Sequence, residues 1–71
     1  MPRMHRVDST SIEAIGYDRR TRELYVRFLE SGHTYVYRGV EDGVFEKFLS
    51  VGSKGNYFNR EIKGEYPYDQ V

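Results

Sequence analysis

Alternation of apolar and polar residues is clearest between Glu23 and Gly39 and predicts a β-hairpin there. Every second position in the first half of this segment is apolar, which is the period of a strand with one buried face. These positions are Leu24, Val26 and Phe28. Gly32 supplies the positive φ that a tight reversal requires, and residues 35–38 resume an extended, β-prone pattern.

The length of the hairpin loop decides which side chains face the core. An even-numbered loop centred on Ser31-Gly32 places Arg27 and Arg38 together on the outer face. A three-residue loop, Glu30–Gly32, would instead turn Arg38 toward the apolar face. We prefer the even loop because an unpaired arginine is costly in a hydrophobic core. Two tyrosines then belong to the core with their hydroxyls at its rim, Tyr35 opposite Phe28 and Tyr37 opposite Val26.

One more strand is predicted before the hairpin, over about Ser11 to Tyr17. Ile12 and Ala14 share one of its faces, and a turn at residues 18–21 joins it to the hairpin. Residues 1–8 have no pattern, and we expect them to form a short arm.

Two helices are predicted in the second half of the chain. An apolar stripe at helical spacing marks the first, formed by Val44, Phe45, Phe48 and Leu49. Gly52 suits the position after its end. Ser53 suits the N-cap of the second helix, Phe58 and Ile62 give its buried edge, and Gly64 ends it. The fold class is therefore α+β, a three-stranded antiparallel β-meander followed by two helices packed on one face, in the order β-β-β-α-α.

A single domain over residues 1–71 is expected, with a body of about 7–68 and flexible ends at 1–6 and 69–71. Pro67 makes the tail extended, and we expect Tyr66 or Tyr68 to pack back on the body. The expected core consists of Ile12, Ala14, Leu24, Val26, Phe28, Tyr35, Tyr37, Val44, Phe45, Phe48, Phe58 and Ile62.

Composition favours a binding protein over an enzyme. The chain has no cysteine, no apolar run long enough to span a membrane and no signal-peptide pattern at its start, so we expect a cytoplasmic protein without a membrane partner. The formal net charge is zero, but eight of the eleven cations are arginine and seven residues are tyrosine. Arginine and tyrosine are enriched at binding surfaces.

Candidate chemistry for catalysis or metal binding is sparse. His5 and His33 are isolated, and without cysteine no Cys-His pair can form. Glu41 and Asp42 are adjacent, but carboxylates at a helix start complement the helix dipole. We therefore expect no enzyme, no metal and no cofactor.

Motifs along most of the chain, about Val7 to Tyr68, resemble one known family. They are Ser11-Ile12, Gly16-Tyr17-Asp18, Leu24-x-Val26-x-Phe28, Gly32-x-x-Tyr35-x-Tyr37-x-x-Val40, Ser53-x-Gly55-x-x-Phe58-Asn59-x-x-Ile62 and Tyr66. Together they resemble the KTSC domain, which is named after a C-terminal segment of some lysyl-tRNA synthetases and also occurs alone in small bacterial proteins. The family usually has proline after the valine that matches Val40, where this chain has Glu41. The resemblance implies no established activity, and it implies RNA binding only through the synthetase context.

Three segments are candidate sites, each with a structural alternative. Tyr35 and Tyr37 could stack unpaired bases, although the preferred loop parity makes them core. The loop Gly52–Gly55 resembles the clamp that KH domains place on a nucleic-acid backbone, although we prefer the simpler interpretation of a serine N-cap after a glycine C-cap. Phosphate contacts there would come from Lys54, Asn56, Arg60 and Lys63.

The third candidate is a group of arginines around Tyr25 on the outer face and the first turn. Its members are Arg19, Arg20, Arg22, Arg27 and Arg38. Interleaved cations and an aromatic ring suit single-stranded RNA, but nearby carboxylates favour a solvated charged face that blocks aggregation of the sheet edge. We expect Asn59 to hydrogen-bond a loop backbone and hold its helix in place.

The leading hypothesis is a non-catalytic RNA-binding module that contacts phosphates. The nucleic-acid contacts would come from Lys54, Arg60, Lys63, Arg38, Arg27 and Tyr25. A structural role is expected for the motif residues Tyr35, Tyr37, Ser53, Gly55, Phe58 and Asn59. The alternative is a protein-interaction module or a homodimer that pairs through a free strand edge.

Overall fold

The hairpin predicted from the apolar alternation is the centre of an antiparallel sheet. The computed structural model describes residues 1–71, and five strands lie in the sheet in chain order, each paired with the next. The strands are β1 (Met4–Arg6), β2 (Ile12–Asp18), β3 (Glu23–Phe28), β4 (Thr34–Arg38) and β5 (Tyr68–Gln70).

The prediction of three strands was wrong, because two short strands form the edges of the sheet. Strand β1 pairs with residues 14–16 of β2, where an unstructured arm was expected. Strand β5 pairs with residues 35–37 of β4 and comes after the helices. Three residues give too little alternation to predict a strand. Both segments are β-structure because a longer neighbour offers them hydrogen bonds.

The preferred parity of the central hairpin is confirmed. Val26 pairs with Tyr35 and Leu24 pairs with Tyr37 on the inner face. Arg27 and Arg38 share the outer face, where they pair with Thr34 and Glu23. The expected partners were shifted by two residues, because the loop has four residues and not two. The Phe28 amide donates to the His33 carbonyl at 3.0 Å, and Gly32 within the loop has a φ of 73°.

A bulge in β2 overturns the expected faces of that strand. Ile12 pairs with Phe28 and Ala14 pairs with Arg27, so Glu13 has no partner across the ladder. The extra residue turns Ile12 to the inner face, where it joins Ile15 in the core. Ala14 was expected in this core, but it is buried on the outer face beside Arg27.

The helices occupy the predicted segments. Helix α1 spans Asp42–Ser50, and helix α2 spans Lys54–Tyr57 and continues as a π-helical turn over Phe58–Ile62. The Asn56 amide donates to the Ser53 hydroxyl at 3.3 Å, which confirms the N-cap. In the π turn the Lys63 amide donates to the Phe58 carbonyl at 2.8 Å. No helix is long and apolar enough to cross a membrane.

One core lies between the helices and the inner face of the sheet. Its buried members are Ile12, Ile15, Leu24, Val26, Tyr37, Val40, Phe45, Phe48, Tyr57, Phe58 and Ile62. Tyr66 packs against this core, as expected for the tail. Tyr17 joins the sheet to α1, because its ring stacks on Phe45 at 4.9 Å and its hydroxyl donates to the Val40 carbonyl.

Candidate functional site

A groove of about 460 Å³ opens between the β4–β5 side of the sheet and the π turn. We call it the aromatic groove. Its apolar lining is Ile12, Phe28, Tyr35, Tyr37, Phe58 and Tyr68. Its polar side chains are Ser11, Ser31, Asn59 and Lys63, and Gly55 and Gly64 complete it.

The rings of the groove pack against one another in favourable geometries. Phe58 meets Phe28 edge-on at 5.3 Å and Tyr37 edge-on at 5.5 Å. Tyr68 stacks on Tyr37 at 5.6 Å and lies 6.0 Å from Tyr35. Such tilted and offset pairs are attractive beyond their buried area. The rings therefore form a preorganised aromatic surface.

Burial of the three tyrosines decreases outward through the groove. Tyr37 is 6% exposed, Tyr35 is half-buried and Tyr68 is 59% exposed. The expectation of a core position thus holds for Tyr37, whereas Tyr35 is shared between core and groove. None of the three hydroxyls is hydrogen-bonded within the chain. Burial raises the pKa of Tyr37 to about 12, and the neighbouring Tyr68 and Tyr35 add to the shift, so this phenol is a neutral hydrogen-bond donor.

A second groove, also of about 460 Å³, continues from the first. We call it the polar groove because no hydrophobic residue lines it. It is lined by Asp8, Ser9, Thr10, Ser11, Gly52, Ser53, Lys54, Gly55, Asn56 and Asn59. Ser11, Gly55 and Asn59 belong to both grooves. A Cβ atom on Gly55 would lie 2.9 Å from the Ser11 hydroxyl oxygen, so glycine keeps this junction open.

The hydrogen bond from Asn59 to a loop backbone, which the sequence predicted, is not formed. The Asn59 side chain is exposed. It projects from the π turn at the junction of the two grooves. π-Helical turns are frequent at functional sites, and here the turn places Asn59 beside the buried Phe58.

The three cations predicted on the helical side differ in whether another group of the chain binds them. Lys54 donates from its ammonium to the Val51 carbonyl at 2.6 Å, just after the end of α1. Arg60 is exposed and pairs with Glu61 at 3.2 Å. Lys63 is exposed, has no ion pair and lines the aromatic groove.

The outer-face arginines are paired with carboxylates. Arg38 lies 2.5 Å from Asp69 and 3.6 Å from Glu23, and Arg27 lies 3.9 Å from Glu13. The hydroxyl of Tyr25 also faces Glu23, at 3.4 Å. Arg19 in the first turn pairs similarly with α1, at 3.1 Å from Asp42 and 2.5 Å from Glu46.

The sheet therefore separates the predicted nucleic-acid contacts into two sets. Arg27, Arg38 and Tyr25 lie on its outer face, whereas the lysines and Arg60 lie on the helical side. Sequence reasoning missed Tyr68 as a wall of the groove and residues 8–10 as the rim of the polar groove. The aromatic Tyr-Pro-Tyr tail could have indicated Tyr68. Residues 8–10 are small and polar, and nothing in their sequence indicates a groove.

These elements define a small two-layer α+β domain with a groove of aromatic rings and polar side chains on its helical side. No group of three or more histidine, aspartate or glutamate side chains is placed to hold a metal ion. A sequence model of the KTSC domain matches residues 8–66. The chain belongs to the KTSC domain family.

Similar proteins include both stand-alone domains and parts of larger enzymes. A crystal structure of a KTSC domain protein from Yersinia pestis is 38% identical and superposes with a TM-score of 0.93, covering 97% of this chain and 96% of that one. A protein of Tsukamurella paurometabola is 38% identical over 89% of this chain and 92% of its own length. A lysine–tRNA ligase of Nostoc punctiforme is 33% identical over 90% of this chain, which spans only 11% of the ligase.

Proposed function

We propose that this chain is a non-catalytic module that binds single-stranded RNA, with an unpaired base held in the aromatic groove. The main support for this proposal is the open groove, in which Tyr35 and Tyr68 present ring surface above the buried Tyr37. Proteins that bind single strands stack bases on aromatic side chains, and each stack contributes about 1–3 kcal/mol. The polar groups at the rim, Asn59 and Ser11, can hydrogen-bond the edge of a base.

Phosphate contacts have a smaller part in this proposal than the sequence predicted. The ammonium of Lys54 is held by the Val51 carbonyl, and the outer-face arginines face carboxylates. Lys63 at the groove rim is the cation best placed to meet a phosphate, and the exposed Arg60 is the next. With a formal net charge of zero, general attraction to nucleic acid is weak.

Relatives give the proposal independent support. Three relatives are lysine–tRNA ligases, and tRNA is part of that name. The region similar to this chain is a small part of each ligase. An added module of this size in such an enzyme would have RNA within reach. The ligase activity itself is not proposed for this domain.

Fluorescence anisotropy with a labelled single-stranded RNA tests the proposal, using two charge-reversal variants. Lys63→Glu is expected to weaken binding about tenfold, because a hydrogen bond from a charged donor contributes about 1.5 kcal/mol or more. Lys47→Glu makes the same charge change on α1, away from both grooves, and is expected to have little effect. Absence of binding, or equal losses in the two variants, would contradict the proposed site.

A second candidate function is pairing with a protein or with a second copy of the chain. It is favoured by the edge strands β1 and β5, each of which is paired on one side only. Light scattering over a range of protein concentrations separates the two proposals. A mass that doubles with concentration, together with no response to RNA, would favour the homodimer.

A further inference from the structure

We infer that the polar groove holds the ribose of the bound strand, so that the module selects RNA over DNA through the 2′-hydroxyl. This inference rests on the proposed function, because it assumes a base in the aromatic groove. It adds the sugar that is recognised and the side chains that recognise it.

The continuity of the two grooves places the sugar. Ser11, Gly55 and Asn59 line both, so a ligand in the aromatic groove continues across them into the polar groove. The sugar is bonded directly to its base, and it is therefore the next part of a nucleotide to reach this junction. The absence of a side chain on Gly55 keeps the passage open, since a Cβ there would lie 2.9 Å from the Ser11 hydroxyl oxygen.

The polar groove offers free hydrogen-bonding groups beyond this junction. The hydroxyl oxygens of Ser9 and Ser53 accept from the Ile12 and Asn56 amides at 3.2 and 3.3 Å, which leaves their O–H groups free to donate. Five other side chains of the lining make no hydrogen bond within the chain, and one of them is Ser11 at the junction. The others are Asp8, Thr10, Asn56 and Asn59.

The polar groove holds one carboxylate and one ammonium, so its charges give a phosphate no net attraction. Its one cation, Lys54, donates to the Val51 carbonyl at 2.6 Å, and the Asp8 carboxylate has no cationic partner. An unpaired carboxylate repels phosphate but accepts a strong hydrogen bond from a hydroxyl. The 2′-hydroxyl, which is both donor and acceptor, is the group by which proteins distinguish RNA from DNA.

Anisotropy titrations with oligouridylate and with deoxyuridylate of the same length test this inference at two salt concentrations. RNA is expected to bind about tenfold more tightly, as one hydrogen bond to a charged acceptor provides. The ratio is expected to be the same at both salt concentrations, because phosphate contacts and their released counterions are common to the two strands. An oligouridylate methylated at the 2′-oxygen cannot donate and is expected to lose this advantage.

Two isosteric variants complete the test. Asp8→Asn keeps the shape of the exposed side chain, removes its charge and is expected to reduce the RNA-to-DNA ratio severalfold. Glu65→Gln removes a charge outside both grooves and is expected to leave the ratio unchanged. Equal binding of RNA and DNA would overturn the ribose site while the proposed function stands. Failure of every oligonucleotide to bind would overturn both.

Discussion

Replacing Tyr68 by alanine is expected to separate RNA binding from folding. The ring lies on the edge strand β5, stacks on Tyr37 at 5.6 Å and is 6.0 Å from Tyr35. It forms the outer wall of the aromatic groove, and the residue is 59% exposed. Its removal therefore opens the groove while the buried core beneath remains.

The expected costs differ in size and in origin. Burial of the remaining two-fifths of the side chain covers roughly 80 Å², which is worth about 2 kcal/mol at most to folding. Truncation of the neighbouring core ring, Phe58→Ala, is expected to cost about 3–5 kcal/mol. Loss of one base stack from Tyr68 costs about 1–3 kcal/mol of binding free energy, which weakens the RNA complex roughly 5- to 150-fold.

Urea denaturation and RNA titration of the same samples measure the two costs. Tyr68→Phe is the matched control, because it keeps the ring and removes a hydroxyl that makes no hydrogen bond within the chain. It is expected to fold and to bind almost as the parent does. A Tyr68→Ala protein that stays folded and binds RNA with unchanged affinity would refute the aromatic groove as the base-binding site.

Three further predictions concern folding. Because burial raises the pKa of Tyr37 to about 12 from a usual value of 10.0, the folded state holds this proton more tightly than the unfolded chain. The free energy of unfolding is thus expected to fall between about pH 10 and pH 12, and Tyr37→Phe should remove part of that fall in urea titrations. Gly16→Ala places a Cβ atom 2.6 Å from a backbone oxygen just before β1, so it is expected to cost about 1–3 kcal/mol and to speed amide exchange in β1. Gly43→Ala, which meets nothing within 4 Å inside α1, is the control and should stabilise by about 0.5–1 kcal/mol. Tyr17→Phe removes the hydrogen bond to the Val40 carbonyl and is expected to cost about 1 kcal/mol in thermal unfolding, a cost that an unchanged midpoint would exclude.

The faces of the central hairpin could be predicted because burial constrains them strongly. Putting Arg27 on the outside fixes the faces of β3, and putting Arg38 on the same side fixes those of β4 and with them the inward position of Tyr35 and Tyr37. The register within that parity could not be predicted. A loop of two residues and a loop of four give the same faces, and the observed pairs, Val26 with Tyr35 and Phe28 with His33, are those of the four-residue loop.

The two edge strands could not be predicted because they form only by pairing with longer neighbouring strands. Strands β1 and β5 have three residues each, and all three residues of β5 are exposed, so no apolar alternation marks it. The bulge at Glu13 has a similar origin. It is visible only once β3 is alongside, because Ile12 and Ala14 are ordinary strand residues in sequence.

The candidate site was predicted in its residue types but not in its assembly. Arginines were expected to be diluted by nearby carboxylates, and the pairs of Arg38 with Glu23 and Asp69 agree with that expectation. Asp69 lies 31 residues away in sequence, so this ion pair depends on the position of β5. The groove likewise depends on Tyr68 returning to β4 from the end of the chain.

A titration of the ¹⁵N-labelled domain with a short single-stranded RNA, followed by NMR, tests the central claim most directly. We predict that amide shifts cluster around both grooves, at Tyr35, Phe58, Asn59, Lys63 and Tyr68, and extend to residues 8–11 and 52–56. The outer-face residues Tyr25, Arg27 and Arg38 should remain unmoved. Shifts confined to the outer face, or no shifts at any RNA concentration, would contradict the claim that the aromatic groove binds a base.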